Sequence, residues 1–394
     1  MKKEQIKIEK IRLKNIDRFA RQALSPVSCQ STVPISRRRA FSQLHNPYGR
    51  PDDVALLVAL HGDKCIGYQG LLPGLFSHRN ELKRIHWSTA FFVISEYRGE
   101  GVAARLLAEI KKLDIDFPVT RMTPAAQQAY VKAGFKDLGD LTYYQLRMEK
   151  IRKLPTIWQE AAEASSALGA GETSGLNSAT TGAGDAIYQQ SKKIFYQQLI
   201  TDSLRKPRSF EHVAVAQIDK RAQQMIQKRL NGPQFFRGIE AVNWMLKYRW
   251  LISAAHEKSE TEPYYFSLVS ELFDYVALEI YAADKQEFRG FLILSVRAGK
   301  GRTRVKILDY GFNDPSDGDL AAYHALICAR TFSADRLEFP ADLLNYFEQH
   351  PLLQPLIKKQ QRRYLFYPNQ QGSVLDDCVG RIRLNYCDAD TTFT

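Results

Sequence analysis

The residues with the most chemistry on offer lie between Phe91 and Leu107, read as F-F-V-I-S-E-Y-R-G-E-G-V-A-A-R-L-L. An apolar, strand-like run ends at Ile94, and a turn follows through Arg98, Gly99, Glu100 and Gly101. Behind the turn, Val102, Leu106, Leu107 and Ile110 recur at helical spacing. Glycine lets a backbone approach a bulky anion with no Cβ in the way. A helix that starts just after such a turn aims unpaired N–H groups and the positive end of its dipole at the same anion. Arg98 adds a charged donor, with Val102 and Ala103 opening the helix. Together these residues describe a cradle for a pyrophosphate. The segment has no GK[ST] of a P-loop, and it lacks the third glycine and downstream acid of a dinucleotide site. The alternative reading is a plain strand–turn–helix corner.

Proton transfer needs a group with a suitable pKa within reach of the reacting atoms. The strand before the turn carries His86 and Ser88 but no carboxylate ahead of Glu96. The intrinsic pKa of a histidine suits His86 to act as a base, directly or through water. Glu96 sits at the turn as a solvated or capping residue, and His61 falls in a hairpin turn. No serine or cysteine stands in a nucleophile elbow, so no covalent enzyme intermediate is expected. Cys29, Cys65, Cys328, Cys378 and Cys387 are scattered, odd in number and free of CxxC spacing. That argues against a disulfide framework or a metal site and for a reducing, cytoplasmic setting.

These residues need elements to hold them. A chain of 394 residues calls for two domains or three. Hydrophobic residues make up 44% and charged residues 25%, which excludes a largely disordered chain. No apolar run is long enough to span a membrane, and the charged N-terminus has no apolar stretch behind it to serve as a secretory signal. Residues 1–150 carry +10 of the net +12, so the first half is the part expected to meet an anion. The absence of a lysine-rich tail or an arginine-striped helix argues against nucleic acid. Between Ala161 and Ala186, 20 of 26 residues are Ala, Gly, Ser or Thr, which reads as a flexible linker over 156–187. It separates a domain over 1–155 from one over 188–394. In the first, runs at Val54–Leu60, Cys65–Phe76 and Ile85–Ile94 predict strands. The helix after the glycine turn, a strand at Phe117–Thr120, a helix over Pro124–Ala133 closed by Gly134, and a strand at Tyr143–Met148 follow. The second gives a comparable order, with an aromatic helix over Phe236–Ile252, a strand at Arg304–Tyr310 and a helix over Leu320–Phe332. The fold class is α/β with a mixed sheet.

Arg98-Gly99-Glu100-Gly101-Val102-Ala103 resembles the R/Q-x-x-G-x-G/A acetyl-CoA signature of the GCN5-related N-acetyltransferase (GNAT) superfamily. Thr123 to Phe135, T-P-A-A-Q-Q-A-Y-V-K-A-G-F, is similar to the family's second block, with Thr123 where Asn is usual. The resemblance covers residues 53–150. It implies a GNAT fold in which pantetheine slots beside the strand Phe91–Ile94, with Val93 and Ile94 offering backbone groups. It implies that the N–H groups from Arg98 to Ala103 hold the pyrophosphate of acetyl-CoA or another acyl-CoA. Tyr130 then stands where the family keeps a tyrosine that protonates the leaving thiolate, Thr123 is a side-chain contact to the cofactor, and Ser88 occupies the place of the usual strand carboxylate.

The second domain has Gly311-Phe312-Asn313-Asp314-Pro315-Ser316-Asp317-Gly318-Asp319 where a phosphate loop would stand, and its three aspartates would repel a pyrophosphate. The aromatic helix resembles one found in tandem GNAT-like proteins. The expectation is a degenerate second GNAT-like domain that shapes the acceptor pocket or makes a homodimer contact. The leading function is transfer of an acyl group to the primary amine of a small acceptor, such as an amino sugar or amino acid, in a ternary complex. Two alternatives stay open: a Fem-type ligase that uses aminoacyl-tRNA, and a CoA-binding module without catalysis.

Overall fold

The computed structural model of the chain describes residues 5–23, 32–79, 81–153, 188–190, 192–197, 200–201, 210–228, 232–254, 265–266, 269–283, 287–348 and 353–390. The expected linker over 156–187 lies outside the described residues. In chain order the elements that matter here are β1 (Lys7–Arg12), α1 (Ile16–Ala23), α2 (Arg37–Leu44), β2 (Val54–His61), β3 (Lys64–His78), β4 (Glu81–Val93), α3 (Val102–Lys111), β5 (Phe117–Thr120), α4 (Pro124–Lys132) and β6 (Lys136–Arg147). They continue with β7 (Phe210–Ala214), α5 (Ala222–Lys228), β8 (Gln234–Phe236), α6 (Ile239–Lys247), β9 (Ile252–Ser253), β10 (Val269–Ser270), β11 (Leu272–Ala282), β12 (Phe288–Gly299), β13 (Arg302–Phe312), α7 (Gly318–Thr331), β14 (Arg336–Pro340), α8 (Leu344–Glu348) and β15 (Ile357–Tyr367).

The chain forms two compact units, and they do not follow the sequence in order. One comprises Met1–Leu141, Ala216–Ser270 and Gln361–Thr394; the other comprises Thr142–Val215 and Glu271–Gln360. The linear division at 1–155 and 188–394 therefore assigns three segments differently: 142–155, 216–270 and 361–394. Strand pairing is the reason. Gln234–Phe236 of β8 joins β3, antiparallel, at Ser77–Leu75. Tyr364–Tyr367 of β15 joins β5, with Tyr364 opposite Thr120 and Tyr367 opposite Phe117. Composition does not report which distant strand a segment will pair with.

In the first unit the strands run β1-β2-β3-β4-β5-β15. The β2–β3 hairpin turns at Gly62, whose φ is 57°. Leu57, Ala59, Ile66, Leu71 and Val119 face α3, whose Val102, Leu106, Leu107 and Ile110 make the opposite wall of one core. A second core gathers Leu13, Ile16, Ala20, Ile35 and Ala40, ahead of and on α1 and α2, against Leu56, Val58 and Tyr68. The sheet is thus covered on both faces, as the near-continuous apolar runs of β2 and β3 require. The expected aromatic helix over Phe236–Ile252 is shorter. Phe236 ends a strand, Gly238 caps the helix, and α6 stops at Lys247.

In the second unit the later part of β6 pairs with β14, and the order continues through β13, β12, β11 and β7. β13 and β14 are parallel and joined by α7. Leu292, Leu294, Val305, Ile307 and Leu337 pack against Ala321, Ala322, Ala325 and Ala329 of that helix. Phe195 and Tyr196 enter the same core. Lys192, fully buried, donates to the carbonyl of Ser333 at 2.6 Å and to Asp335 Oδ1 at 2.8 Å, which fastens that segment to the unit.

Candidate active site

Strand β4 pairs with β3 from His78↔Glu81 to Gly67↔Val93, and the register slips once, between Tyr68 and Gly70. Two residues, Ala90 and Phe91, stand opposite the single Gln69, which is a β-bulge. Ala90 takes φ 48°, a left-handed conformation that an alanine adopts only when its surroundings hold it there. Gln69 does this: its Nε2 donates to the carbonyls of Thr89 at 2.6 Å and Gly70 at 3.1 Å. Gly70 has no room for a side chain, since a Cβ there would lie 2.9 Å from Thr89 Oγ1 and 3.2 Å from the Thr89 carbonyl.

On its other edge β4 meets β5 in parallel at Ser88↔Val119. Beyond Ser88 the strands part, and a fork opens along Thr89–Val93. The N–H of Ile94 donates to Ile66 O at 3.0 Å, on the β3 side. Alternation along the strand turns the N–H and C=O of Val93 toward the fork. The two backbone groups of Ile94 are engaged instead, its carbonyl accepting from Tyr97 N at 3.1 Å. The carbonyl of Val93 is engaged as well, by the side chain of Arg98.

The turn after β4 has the geometry its glycines call for. Gly99 and Gly101 take φ 92° and 78°, and a Cβ on either would meet nothing of the protein, so the loop presents its backbone to open space. Gly101 is the N-cap of α3 and offers no side-chain cap. The donor N–H of Arg105 reaches Gly101 O at 3.1 Å, so the N–H groups of Val102, Ala103 and Ala104 come before the helix's own ladder and point out of its N-terminus. No acidic residue sits in the first turn of α3. Arg98 is exposed and donates through Nε to Val93 O at 3.2 Å, which holds its guanidinium at the mouth of the fork. Glu100 is exposed on the loop. The start of α3 thus leaves backbone N–H groups without an acidic side chain beside them.

Tyr130 reaches the floor of the fork from α4. Thr123 caps that helix, accepting from Ala126 N at 3.2 Å, and Pro124 occupies its first position. At the other end Gly134, at φ 86°, closes a Schellman motif in which Phe135 N donates to Tyr130 O at 3.0 Å and Gly134 N to Val131 O at 2.9 Å. The Phe135 ring stacks edgewise on Tyr130 at 4.8 Å, and Phe91 of the bulge lies 5.2 Å away. The phenol donates to Gln69 Oε1 at 2.9 Å and lies 3.0 Å from Ser88 Oγ. Burial pushes the Tyr130 hydroxyl well above its ordinary pKa, so it is a protonated donor at neutral pH. Tyr130 and Ser88 are thus brought together. Thr123 caps the helix from an exposed position.

His86 does not join them. Both its ring nitrogens lack a hydrogen bond, and Nε2 lies 3.7 Å from Asp53 Oδ1, while Asp53 Oδ2 pairs with Arg84 at 2.5 Å. Burial pulls the His86 pKa down to about 4, against the attraction of Asp53. It is a neutral core histidine at neutral pH, packed edge-on to Phe117.

Two groups were missed by the sequence reading. Gln69 is one: a lone polar residue inside the apolar run C-I-G-Y-Q-G-L-L, fully buried, which is a signal a reader could use. The other lies across β4. Thr89, whose side chain projects to the opposite face from Ser88, accepts from Arg39 Nη2 at 3.0 Å. The same nitrogen donates to Asp390 Oδ2 at 3.2 Å, and the Arg39 guanidinium lies 4.6 Å over Trp250. Nothing local to Asp390 in the sequence announces this.

Residues 52–137 match the family described as "Acetyltransferase (GNAT) domain". No curated protein sequence matches the chain. Among solved structures the chain is similar to a GCN5-related N-acetyltransferase of Anabaena variabilis, with 14% identity, 95% of this chain and 74% of that one covered, and a TM-score of 0.48. It is also similar to Saccharomyces cerevisiae N-myristoyltransferase with bound myristoyl-CoA, with 10% identity, 93% and 83% covered, and a TM-score of 0.48. The fork, the glycine loop and Tyr130 all fall inside the matched residues 52–137.

Proposed function

We propose that this chain, which carries a GNAT-family N-acyltransferase domain over residues 52–137, moves an acyl group from acyl-CoA to the primary amine of a small acceptor such as an amino sugar or amino acid. The observation that carries the reading is the alignment of three features on one strand end: the fork past Ser88, the exposed N–H groups at the start of α3, and the buried phenol of Tyr130. The N–H groups of Gly99, Gly101, Val102 and Ala103, with Arg98, would hold the diphosphate. Val93 would meet the pantetheine amides along the fork. The coenzyme supplies an acyl group as a thioester. Tyr130 holds a proton at Oη, oriented by Gln69 and Ser88, for the sulfur that departs. Bringing both reactants together in the fork supplies much of the rate.

We read the second unit as a degenerate GNAT-like partner to the first. Its order of strand β13, loop, helix α7 and parallel strand β14 supports this. Its loop holds Asp314 and Asp317, the latter paired with Arg289 at 3.1 Å, which disfavours a diphosphate there.

The test is isothermal titration of the full chain with acetyl-CoA, followed by Arg98→Glu. Binding by the wild type, weakened at least about tenfold by the charge reversal, is expected. A titration with no acetyl-CoA uptake, or one that Arg98→Glu leaves untouched, overturns the reading.

A further inference from the structure

With His86 buried beside Asp53, and no carboxylate on β4 beyond Glu81 at its far end, the group that meets the acceptor's ammonium must come from elsewhere. We propose that Asp390 is that group: it anchors the ammonium of the acceptor at the face of the fork opposite Tyr130 and takes its proton. The proposal rests on the acyl-CoA reading above and adds the residue that receives the amine.

Three observations converge on Asp390. The first is its mount. Arg39 is only 4% exposed, and one of its nitrogens bridges Thr89 Oγ1 and Asp390 Oδ2. Its guanidinium is backed by the buried indole of Trp250. Ser36 caps the helix that carries Arg39, accepting from Arg39 N at 3.1 Å. A buried, stacked arginine is a rigid support for a carboxylate. The second is its position. Thr89 lies between Ser88, where β4 and β5 still pair, and Ala90, where the bulge begins. Ser88 and Thr89 project to opposite faces, so Tyr130 and Asp390 flank the same stretch of strand. The charge of Asp390 is felt at the Tyr130 phenol, which places the two carboxylate and phenol groups within electrostatic reach of each other. The third is access. The Asp390 side chain keeps 21% of its surface exposed while Arg39 keeps 5%, so the carboxylate is the member of the pair that an incoming cation meets.

The step balances. The ammonium gives one proton to the Asp390 carboxylate and becomes a neutral amine. Its nitrogen forms the new C–N bond as the C–S bond breaks, and Tyr130 gives its proton to the departing sulfur. The surplus proton on the new amide nitrogen restores the Tyr130 phenol, and the Asp390 proton leaves to water. An amine held this way must carry a positive charge at neutral pH, so the acceptor class is an alkylamine rather than an amide or a weakly basic arylamine.

The test uses the full chain loaded with CoA and n-butylammonium as the probe cation, read by calorimetry, with acetyl-CoA consumption at saturating butylamine as the second readout. Asp390→Asn should weaken butylammonium binding by about tenfold and slow acetyl transfer by about 10². Its acetyl-CoA affinity should stay at the wild-type value, and Asp390→Glu should retain most of both properties. Equal probe binding or equal turnover in the wild type and Asp390→Asn overturns the assignment. So does a CoA-loaded wild type that takes up no butylammonium. A wild type that binds no CoA at all overturns the acyl-CoA reading instead, which the first titration tells apart.

Discussion

Tyr130 and His86 are both aromatic, buried and within reach of the same strand, yet their surroundings give them different work. Tyr130 has two polar partners, Ser88 and Gln69, and keeps its proton. His86 has neither ring nitrogen bonded and stays unprotonated down to about pH 4. Tyr130→Phe is expected to leave acetyl-CoA affinity unchanged and cut turnover by about 10² or more. His86→Asn should change turnover by less than about threefold, since His86 is buried beside Asp53 and bonds to none of Tyr130, Ser88 and Gln69. Steady-state kinetics beside calorimetry checks both. Asp388 allows a pH prediction. Burial raises its carboxyl to about 7 from 3.8, against the N–H of Asn385 and the charges of Arg237 and Arg362. The folded chain therefore holds a proton that the unfolded chain has lost. The stability this contributes is complete below about pH 3.8 and is lost as pH rises through about 7. Asp388→Asn is free of that loss. Its melting temperature should climb relative to wild type between pH 4 and pH 7 and then level off, by no more than about 4 kcal/mol in stability. A difference that stays flat across those pH values would show Asp388 to titrate as an ordinary aspartate.

At the scale of elements, the sequence is legible where a local rule decides. The hairpin of β2 and β3, the strand before the loop, the helix after it, and the Gly134 stop of α4 all follow from periodicity and turn chemistry. The bulge in β4 is not legible, because Ala90 carries no sign of a positive φ and only Gln69 across the ladder explains it. Helix α2 is not legible either, since R-R-R-A-F-S-Q-L shows no clean apolar stripe. Gly70→Ala tests the bulge. A methyl at 2.9 Å from Thr89 Oγ1 should cost about 1–3 kcal/mol in urea unfolding and disturb the Arg39 bond to the same oxygen. Gly101→Ala separates folding from binding. No atom obstructs its Cβ, so the cost to stability is the left-handed backbone alone, about 1–2 kcal/mol. Acetyl-CoA affinity should fall by more than about tenfold, because the added carbon stands where the diphosphate must lie.

For the whole molecule the linear reading fails for one physical reason: hydrogen-bond partners of strands are chosen by tertiary structure. β15 holds β5 through four residue pairs, and Asp116, just before β5, accepts from the N–H groups of Asn369, Val374 and Leu375. Asp390 belongs to the same terminal segment. A fragment ending at residue 155 should therefore lack a cooperative melt, and the chain cut after residue 360 should neither bind acetyl-CoA nor give a single unfolding transition. Circular dichroism melts of both fragments check this.

The bond from Thr120 to Arg363 closes across 243 positions of chain. A ribosome delivers the whole of Glu271–Gln360 before it delivers the strand that completes the sheet beside β5. The unit written second can thus finish folding first, while the first unit waits with one edge bare. Pairing that depends on so distant a partner is slow by topology, and in that interval the edge of β5 is open to whatever other strand, or chaperone, meets it first.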